Sequence, residues 1–553
     1  MRPGHVVYAA VIVVLSTIAY AGSFGGKWVS DDTVAIAENP LLRSLAPANL
    51  GLLLTTFDGP NYMPLKMVSL AVDYRLFGGD PTGYHAMNLA IHVANALLVY
   101  LLLLRFGESA ATAFAVALVW AVHPVQVESV AWVSERKNVL STLFFLLALL
   151  AYVRFSDAPR PRTYALVLVL FVCALLTKIN TIVLPAITLA YELAWRFRLR
   201  TRDVLATLPM LVAGAVLAWV NLHGNPSHGA AYHGGSLWVT LRTSSTVVPR
   251  YVALVFAPLR LASYYAVPLR GSWLDPTVLA STIAIVGLGA VAAHLGWRRQ
   301  RAGFWIVWFL VTLAPMLNLV PFPALMADRY LYIPLVGPLV LAAWALAAIA
   351  RRVPWTRPAL PIAAAAAALA CTLLTWRRVP VFHDDLRLWA DWALTTSYIS
   401  SDHPYDAAPR TEEKRLLRDA LARDDASGPL HNNLGAIAFE ENRATDAVAE
   451  LTRARALAPE DPAIALNLGR AHLLARQPEA AARILEDAVR LEPPSYYAHH
   501  NLARAYMLLS DTARARAELE RARAIRPQWP DLASTTALLD RLEQRERVRA
   551  VGP

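Results

Sequence analysis

The sequence predicts an all-α protein in two parts, a polytopic bundle of membrane-spanning helices followed by an α-solenoid. Three observations carry this. Of 553 residues, 56% are hydrophobic and only 17% charged, which is too apolar for ordinary soluble globules. Up to about residue 375, long apolar runs alternate with short Arg-rich connections, whereas beyond residue 380 the chain turns to Ala, Leu, Arg and Glu with helical periodicity. This second part repeats every 34 residues.

Eleven apolar runs, near 6–21, 85–104, 110–122, 139–153, 164–176, 181–195, 204–221, 278–296, 303–319, 331–350 and 359–375, read as spans. Several fall short of the roughly 20 residues a bilayer needs. With the N-terminus in the cytoplasm, Arg105, Arg154, Arg160, Arg162, Arg196, Arg198, Arg200, Arg202, Arg298, Arg299, Arg301, Arg351, Arg352 and Arg357 all fall on that side, as the positive-inside rule requires. Residues 246–257 are apolar but interrupted by Pro249 and Arg250, and read as a re-entrant or interfacial helix. Arg377 and Arg378 are the exception, since the assignment leaves them outside. The tail after 376 is expected on the extracytoplasmic face, together with residues 22–84, 123–138, 177–180, 222–277 and 320–330. Ala19-Tyr20-Ala21 resembles a signal-peptidase site, but the many spans that follow favour an uncleaved first helix.

The net charge of +11 does not point to nucleic acid, because many of the basic residues sit in short connections where topology explains them. Cys173 and Cys371 each lie inside an apolar run and read as buried small hydrophobes, so no disulfide framework or Cys-ligated zinc site is expected.

The ionisable residues gather on the expected outer face. Asp31 and Asp32 follow the first run directly. Like charges side by side separate in pKa, so one of the pair can accept a proton, although a solvated turn is the plainer reading. His85, Asn88, His92 and Asn95 recur at helical spacing as one polar stripe, which serves either as interhelical hydrogen bonding or as a substrate-facing surface. The segment from His123 to Asn138, if helical after Pro124, stacks Glu128, Trp132 and Glu135 on one face suited to a sugar. Arg136 and Lys137 within it either reach a phosphate or snorkel at the membrane edge, and Lys178 has the same ambiguity. Arg329, flanked by Asp328, Tyr330 and Tyr332, is the best phosphate candidate, the alternative being an anchor belt with Arg329 paired to Asp328. His223, His228 and His233 lie in a Gly-rich loop with nothing to fix their geometry, which argues against a metal site.

In the tail, Leu434, Leu468 and Leu502 fall in register, as do Ala447, Ala481 and Ala515, then Leu451, Leu485 and Leu519, Ala454, Ala488 and Ala522, and Pro459, Pro493 and Pro527. Gly435 and Gly469 mark the first close packing point, and Ala503 takes that place in the third repeat while Tyr506 is kept. These are tetratricopeptide repeats, closed by a capping helix over 531–548. The expected domains are therefore 1–375 in the membrane, 376–428 as linker and entry helices, and 429–553 as repeats. Such a solenoid either scaffolds or binds extended peptide.

An Asp-Asp pair after the first helix, the HPVQVESVAWVSERKN segment, ADRYLY and a repeat tail together resemble one family, the transmembrane, tetratricopeptide-containing O-mannosyltransferases that target cadherins. The similarity takes in Asn61-Tyr62-Met63-Pro64-Leu65, Leu76-Phe77-Gly78, Gly83-Tyr84-His85 and Asn88. Met63 stands where the family pattern has an arginine, which removes one basic candidate. The resemblance implies an integral-membrane GT-C glycosyltransferase, here a bacterial homologue in the inner or plasma membrane. It would move a hexose, mannose-like, from a polyprenyl-phosphate donor to a hydroxyl of an exported protein held by the repeats. It assigns base chemistry to Asp31 and Asp32, the donor phosphate to Arg329, Arg136 and Lys137, and sugar or acceptor contacts to His85, Asn88, His123, Glu128, Trp132 and Glu135. No cofactor is required, though some relatives of the fold use a divalent cation. A non-catalytic membrane-anchored scaffold and a lipid-linked sugar transporter or polymerase are the rival readings.

Overall fold

The computed structural model describes residues 3–59, 61–224, 232–265, 267–322, 324–393, 415, 417–419, 421, 426–493, 495–525 and 530–551. It divides into two compact units, 1–388 and 389–553. The first unit runs past residue 375 because the end of the last long helix packs on the loop after the first one: Val379 and Phe382 are buried, and the Lys27 amide donates to the His383 carbonyl at 2.7 Å. Most of the expected linker, His228 and Pro527 lie outside the described residues.

Among the described residues, six helices are long and apolar enough to cross a membrane: Gly4–Gly25, Pro81–Arg105, Val133–Asp157, Thr201–His223, Pro276–Trp297 and Ala359–Phe382. A seventh span arises if Ala110–Val122 and Pro124–Ala131, bent by 52°, count as one. The remaining apolar runs are shorter or broken, and prolines sit at the breaks. Ala110–Val122 stops at His123, which precedes Pro124 and is extended at φ −71° and ψ 131°, as a residue before proline prefers. The run over 181–195 splits into a 3₁₀ turn, a helix Leu184–Tyr191 and a π-turn Glu192–Arg196. The run over 331–350 becomes helical only from Val336, beyond Pro334. Residues 247–256 form a ten-residue helix, about 15 Å long and too short to span.

Close packing in the first unit centres on aromatics. Phe106 stacks on Tyr191 at 5.2 Å and meets Trp195 at 4.5 Å, while Trp195 meets Phe304 edge-on at 4.9 Å. Gly337 lets its helix touch the preceding one, Ala302–Leu313, since a Cβ there would lie 2.5 Å from the Trp305 carbonyl oxygen. The polar stripe on Pro81–Arg105 turns out to join helices. His92 contacts the Tyr332 hydroxyl at 2.7 Å and the Ala121 carbonyl at 2.8 Å, and Asn95 donates to the Val139 carbonyl at 2.8 Å. At one end, short helices Pro40–Arg43, Pro47–Thr55 and Pro64–Phe77 enclose a small core of Ile36, Leu42, Leu53, Met67 and Leu70, which also receives Val133.

In the second unit three helix pairs follow one another: Gly428–Glu440 with Ala444–Leu457, Pro462–Leu474 with Pro478–Leu491, and Tyr496–Leu508 with Thr512–Ile525. Ser427 and Asp461 cap the first helices of two pairs, each followed closely by proline at a position where no amide is needed. The turn inside each pair holds one left-handed residue, Asn442, Arg476 or Ser510, at φ 59°, 58° and 60°. Side-chain Cβ atoms at Gly435 and Gly469 would lie 2.6 Å and 2.4 Å from Leu451 and Leu485. The third pair closes with Ala503 in that place, fully buried. A last helix, Pro530–Val551, follows.

Candidate functional site

The acidic pair is built asymmetrically. After the first helix ends in a 3₁₀ turn, Ala21–Gly25, the chain passes through Ser30 and re-enters helical geometry at Asp32. Asp32 is fully buried, and its two carboxylate oxygens accept the backbone amides of Val29 at 3.2 Å and Ser134 at 2.8 Å. Burial pushes its carboxyl up to about 7, with the neighbouring Asp31 charge adding to the rise and the hydrogen bonds opposing it. Asp31 is exposed and lies within electrostatic reach of Lys137.

Ser134 belongs to a segment that is not the single helix expected. It runs as a 3₁₀ turn Pro124–Gln126, one helical turn Val127–Ala131, an extended Trp132, a second 3₁₀ turn Val133–Glu135, and then the long helix from Arg136. Asn88 holds the break open by donating to the Val130 and Trp132 carbonyls at 3.3 and 3.2 Å. The break therefore changes how Glu128 and Glu135 come together, since they meet through Arg329 and not along one helical face. Arg329 ion-pairs with Glu128, its backbone amide donates to the other Glu128 oxygen at 2.8 Å, and its Nε lies 3.5 Å from Glu135. Lys137 pairs with Glu135 at 2.9 Å, and Lys178 lies 3.9 Å from it. Asn138 donates to Glu135 at 2.7 Å and accepts from Lys178. The Arg329 guanidinium sits 5.9 Å over the Trp132 ring and 5.3 Å over Tyr330.

Two buried carboxylates thus face three basic side chains, and those bases are not sealed off, being 18%, 18% and 13% exposed for Arg329, Lys137 and Lys178. Burial works against the charge of Arg329, but Glu128 and Glu135 more than offset it and hold its pKa well above the usual arginine value. Lys178 is pulled down to about 7, mainly by burial, with Lys137 and Arg329 repelling its charge while Glu135 favours it. An incoming anion would meet a fork of donors fixed by its own carboxylate partners, an arrangement suited to phosphate.

Other sequence candidates lie elsewhere. Arg136 is completely buried and turned away: its guanidinium binds Asp73 at 2.5 Å, Asn88 and the Tyr84 carbonyl at 3.2 Å. Asn88 serves that pair and the break, and His123 bonds the Val255 carbonyl at 3.1 Å. His85 is buried against Gly26, where a Cβ would lie 2.8 Å from its Nε2. Asp328 accepts from the Tyr265 hydroxyl at 2.5 Å, whereas Arg329 pairs with Glu128, a longer-range partner than the Asp328 of the alternative anchor-belt reading. Among the described residues no group of three His, Cys, Asp or Glu side chains could hold a metal ion, and Asp32 has both oxygens engaged. Nothing in the sequence singles out Ser134 or Asn138, and it leaves Lys178 ambiguous between phosphate and membrane edge. Only Lys178 left a signal, as a lone base between two apolar runs.

A family model for the tetratricopeptide repeat matches residues 438–497 and 472–539. Human protein O-mannosyl-transferase TMTC1 is 32% identical over 205 residues, covering 34% of this chain and 23% of that protein. Protein O-mannosyl-transferase Tmtc3 of Drosophila melanogaster is 26% identical over 550 residues, 83% of this chain and 56% of the relative, so the chain matches about half the length of that relative. Among solved structures, the Archaeoglobus fulgidus oligosaccharyltransferase tethered with an acceptor peptide aligns with a TM-score of 0.43 at 13% identity over 73% of this chain and 58% of that one. ArnT from Cupriavidus metallidurans bound to undecaprenyl phosphate aligns at 0.33 and 12% identity, covering 93% and 79%.

Proposed function

Because the chain is a homologue of the tetratricopeptide-repeat protein O-mannosyl-transferases, we propose that it is a GT-C-type glycosyltransferase moving a mannose-like hexose from a polyprenyl phosphate to a hydroxyl of an exported protein. The observation that carries this is one neighbourhood: Ser134 ties the Asp31–Asp32 loop to the same segment whose Glu128, Glu135 and Lys137 surround Arg329. In this reading a proton acceptor and a cluster of cationic donors belong to one neighbourhood.

In this reading the acceptor hydroxyl oxygen attacks the anomeric carbon as the bond from that carbon to the phosphate oxygen breaks, with inversion. The hydroxyl proton passes to the exposed Asp31 carboxylate. The electron pair leaves with the polyprenyl phosphate, whose charge Arg329 meets first, with Lys137 and Lys178 beside it. Asp32 keeps the loop in place through its two amide bonds, and Trp132 offers a face for the sugar. No step is routed through a metal. The Arg bias of the connections supports placing this end of the bundle and the repeats on the extracytoplasmic face. The repeats would hold the acceptor protein.

The test is transfer by purified protein reconstituted in liposomes, given radiolabelled polyprenyl-phosphate hexoses and a panel of secreted-protein acceptors. Label should reach acceptor hydroxyls with the wild type and not with Asp31→Asn. Absence of transfer from every donor to every acceptor would remove the proposal.

A further inference from the structure

Ser30 leads into the acidic pair with φ at 54°, a left-handed conformation that residues bearing a Cβ adopt at a cost. The group that meets it comes from the far end of the same unit. Asp385 Oδ1 accepts the Ser30 amide at 2.6 Å, and two residues earlier in that segment the His383 carbonyl accepts the Lys27 amide. The segment is pressed against the loop along its length: a Cβ on Gly22 would lie 3.3 Å from Val379. Asp385 opens the helix Asp385–Ala393, but Asp384 does the local work there, accepting the Arg387 amide at 2.9 Å and pairing with its guanidinium at 3.1 Å. The Asp385 carboxylate is thereby left to the loop. Its bond reaches a backbone amide 355 residues away, at the left-handed residue before Asp31.

We infer that Asp385 is a positioning residue for the acidic pair, fixing the turn at Ser30 and so aiming Asp31 at the acceptor hydroxyl. The inference rests on the transferase reading above for its catalytic consequence, though not for the turn itself. Asp385 touches no reacting atom. Its effect is on how often Asp31 stands where the proton must go, a quantity to which turnover is steeply sensitive, since misplacement by about 1 Å can cost roughly a hundredfold.

The experiment compares full-length wild type with Asp385→Ala, Asp385→Asn, Ser30→Gly and the Ser30→Gly/Asp385→Ala double variant, by amide hydrogen exchange over residues 26–34 and by steady-state transfer. Asp385→Ala should speed exchange there and lower kcat roughly tenfold to a hundredfold, with the donor KM within about twofold. Asp385→Asn keeps an acceptor oxygen and should restore most of both. Glycine adopts the left-handed turn freely, so the alanine change should cost less in the Ser30→Gly background. Unchanged exchange in Asp385→Ala, or lost turnover that asparagine does not rescue, overturns the inference. If wild type transfers no sugar, the transferase reading falls, and exchange alone decides whether Asp385 fixes the turn.

Discussion

The backbone amide of Ser134 donates to Asp32 across 2.8 Å, joining the loop after the first helix to a break between two later ones. Neither residue alone marks a site. Together they bring a carboxylate pair and a cationic cluster into one neighbourhood.

The first concerns pH. Burial pushes the Asp32 carboxyl from the ordinary 3.8 up to about 7 in the folded protein. Above that pH its charge strengthens both amide bonds and raises the proton affinity of Asp31. Below it, kcat should fall to a lower plateau, and Asp32→Asn should flatten the profile while Asp31→Asn costs about 10²–10⁴-fold at every pH. The same shift has a stability sign. The folded state holds this proton longer than the unfolded chain, so the group's contribution favours folding most below about pH 4 and is lost as pH rises toward 7. A kcat profile from pH about 5 to 9 that keeps its shape in Asp32→Asn would contradict the assignment.

The second separates the two arginines. Arg329→Lys keeps a charge but loses the fork, and should raise the donor KM with little change in melting temperature. Arg136→Met strands Asp73 inside the fold and should cost ~3–5 kcal/mol of stability, as breaking buried pairs does. Thermal unfolding and donor titration of the two variants check this directly. Equal stability loss in both would return Arg329 to a structural role.

A third prediction concerns the repeats. Removing residues 429–553 should leave donor binding and slow hydrolysis of the lipid-linked sugar intact while abolishing transfer to folded protein acceptors. Rates measured on protein and on water as acceptors distinguish this from a scaffold, which has no hydrolysis to keep. Undiminished transfer to protein by the truncated chain would detach the repeats from acceptor choice.

The fourth is topological. Reporters active on one side of the membrane only, fused after residues 60 and 430, should give the same signal, because the Arg-bearing connections leave both positions opposite to them. Opposite signals would reverse the placement of the tail.

The repeat array could be read in the sequence because each unit buries nearly the same residues, so identical spacings reappear as Leu451, Leu485 and Leu519. Asp31 and Asp32 stood out by position, and Arg329 by its aromatic flanks. What could not be read were partners far along the chain. Arg136 and Lys137 are adjacent and equally basic, yet one faces Asp73 and the other Glu135. Helical periodicity likewise predicted one helix after Pro124 and gave no sign of the break at Trp132, which depends on Asn88 from another helix. Among the described residues, six of the apolar runs form helices of spanning length and others are shorter or broken, because hydropathy registers apolar content, while Pro124, Pro185 and Pro334 sit at the breaks.

The left-handed turns at Asn442, Arg476 and Ser510 recur every 34 residues. A unit that begins and ends at such a turn can be copied in frame, since each repeat rests only on its neighbours. Array length is therefore an adjustable dimension, separable from the chemistry. Under the proposed function, lengthening or shortening the array by whole units would rescale the stretch of acceptor polypeptide it holds, with the acidic loop and Arg329 left untouched.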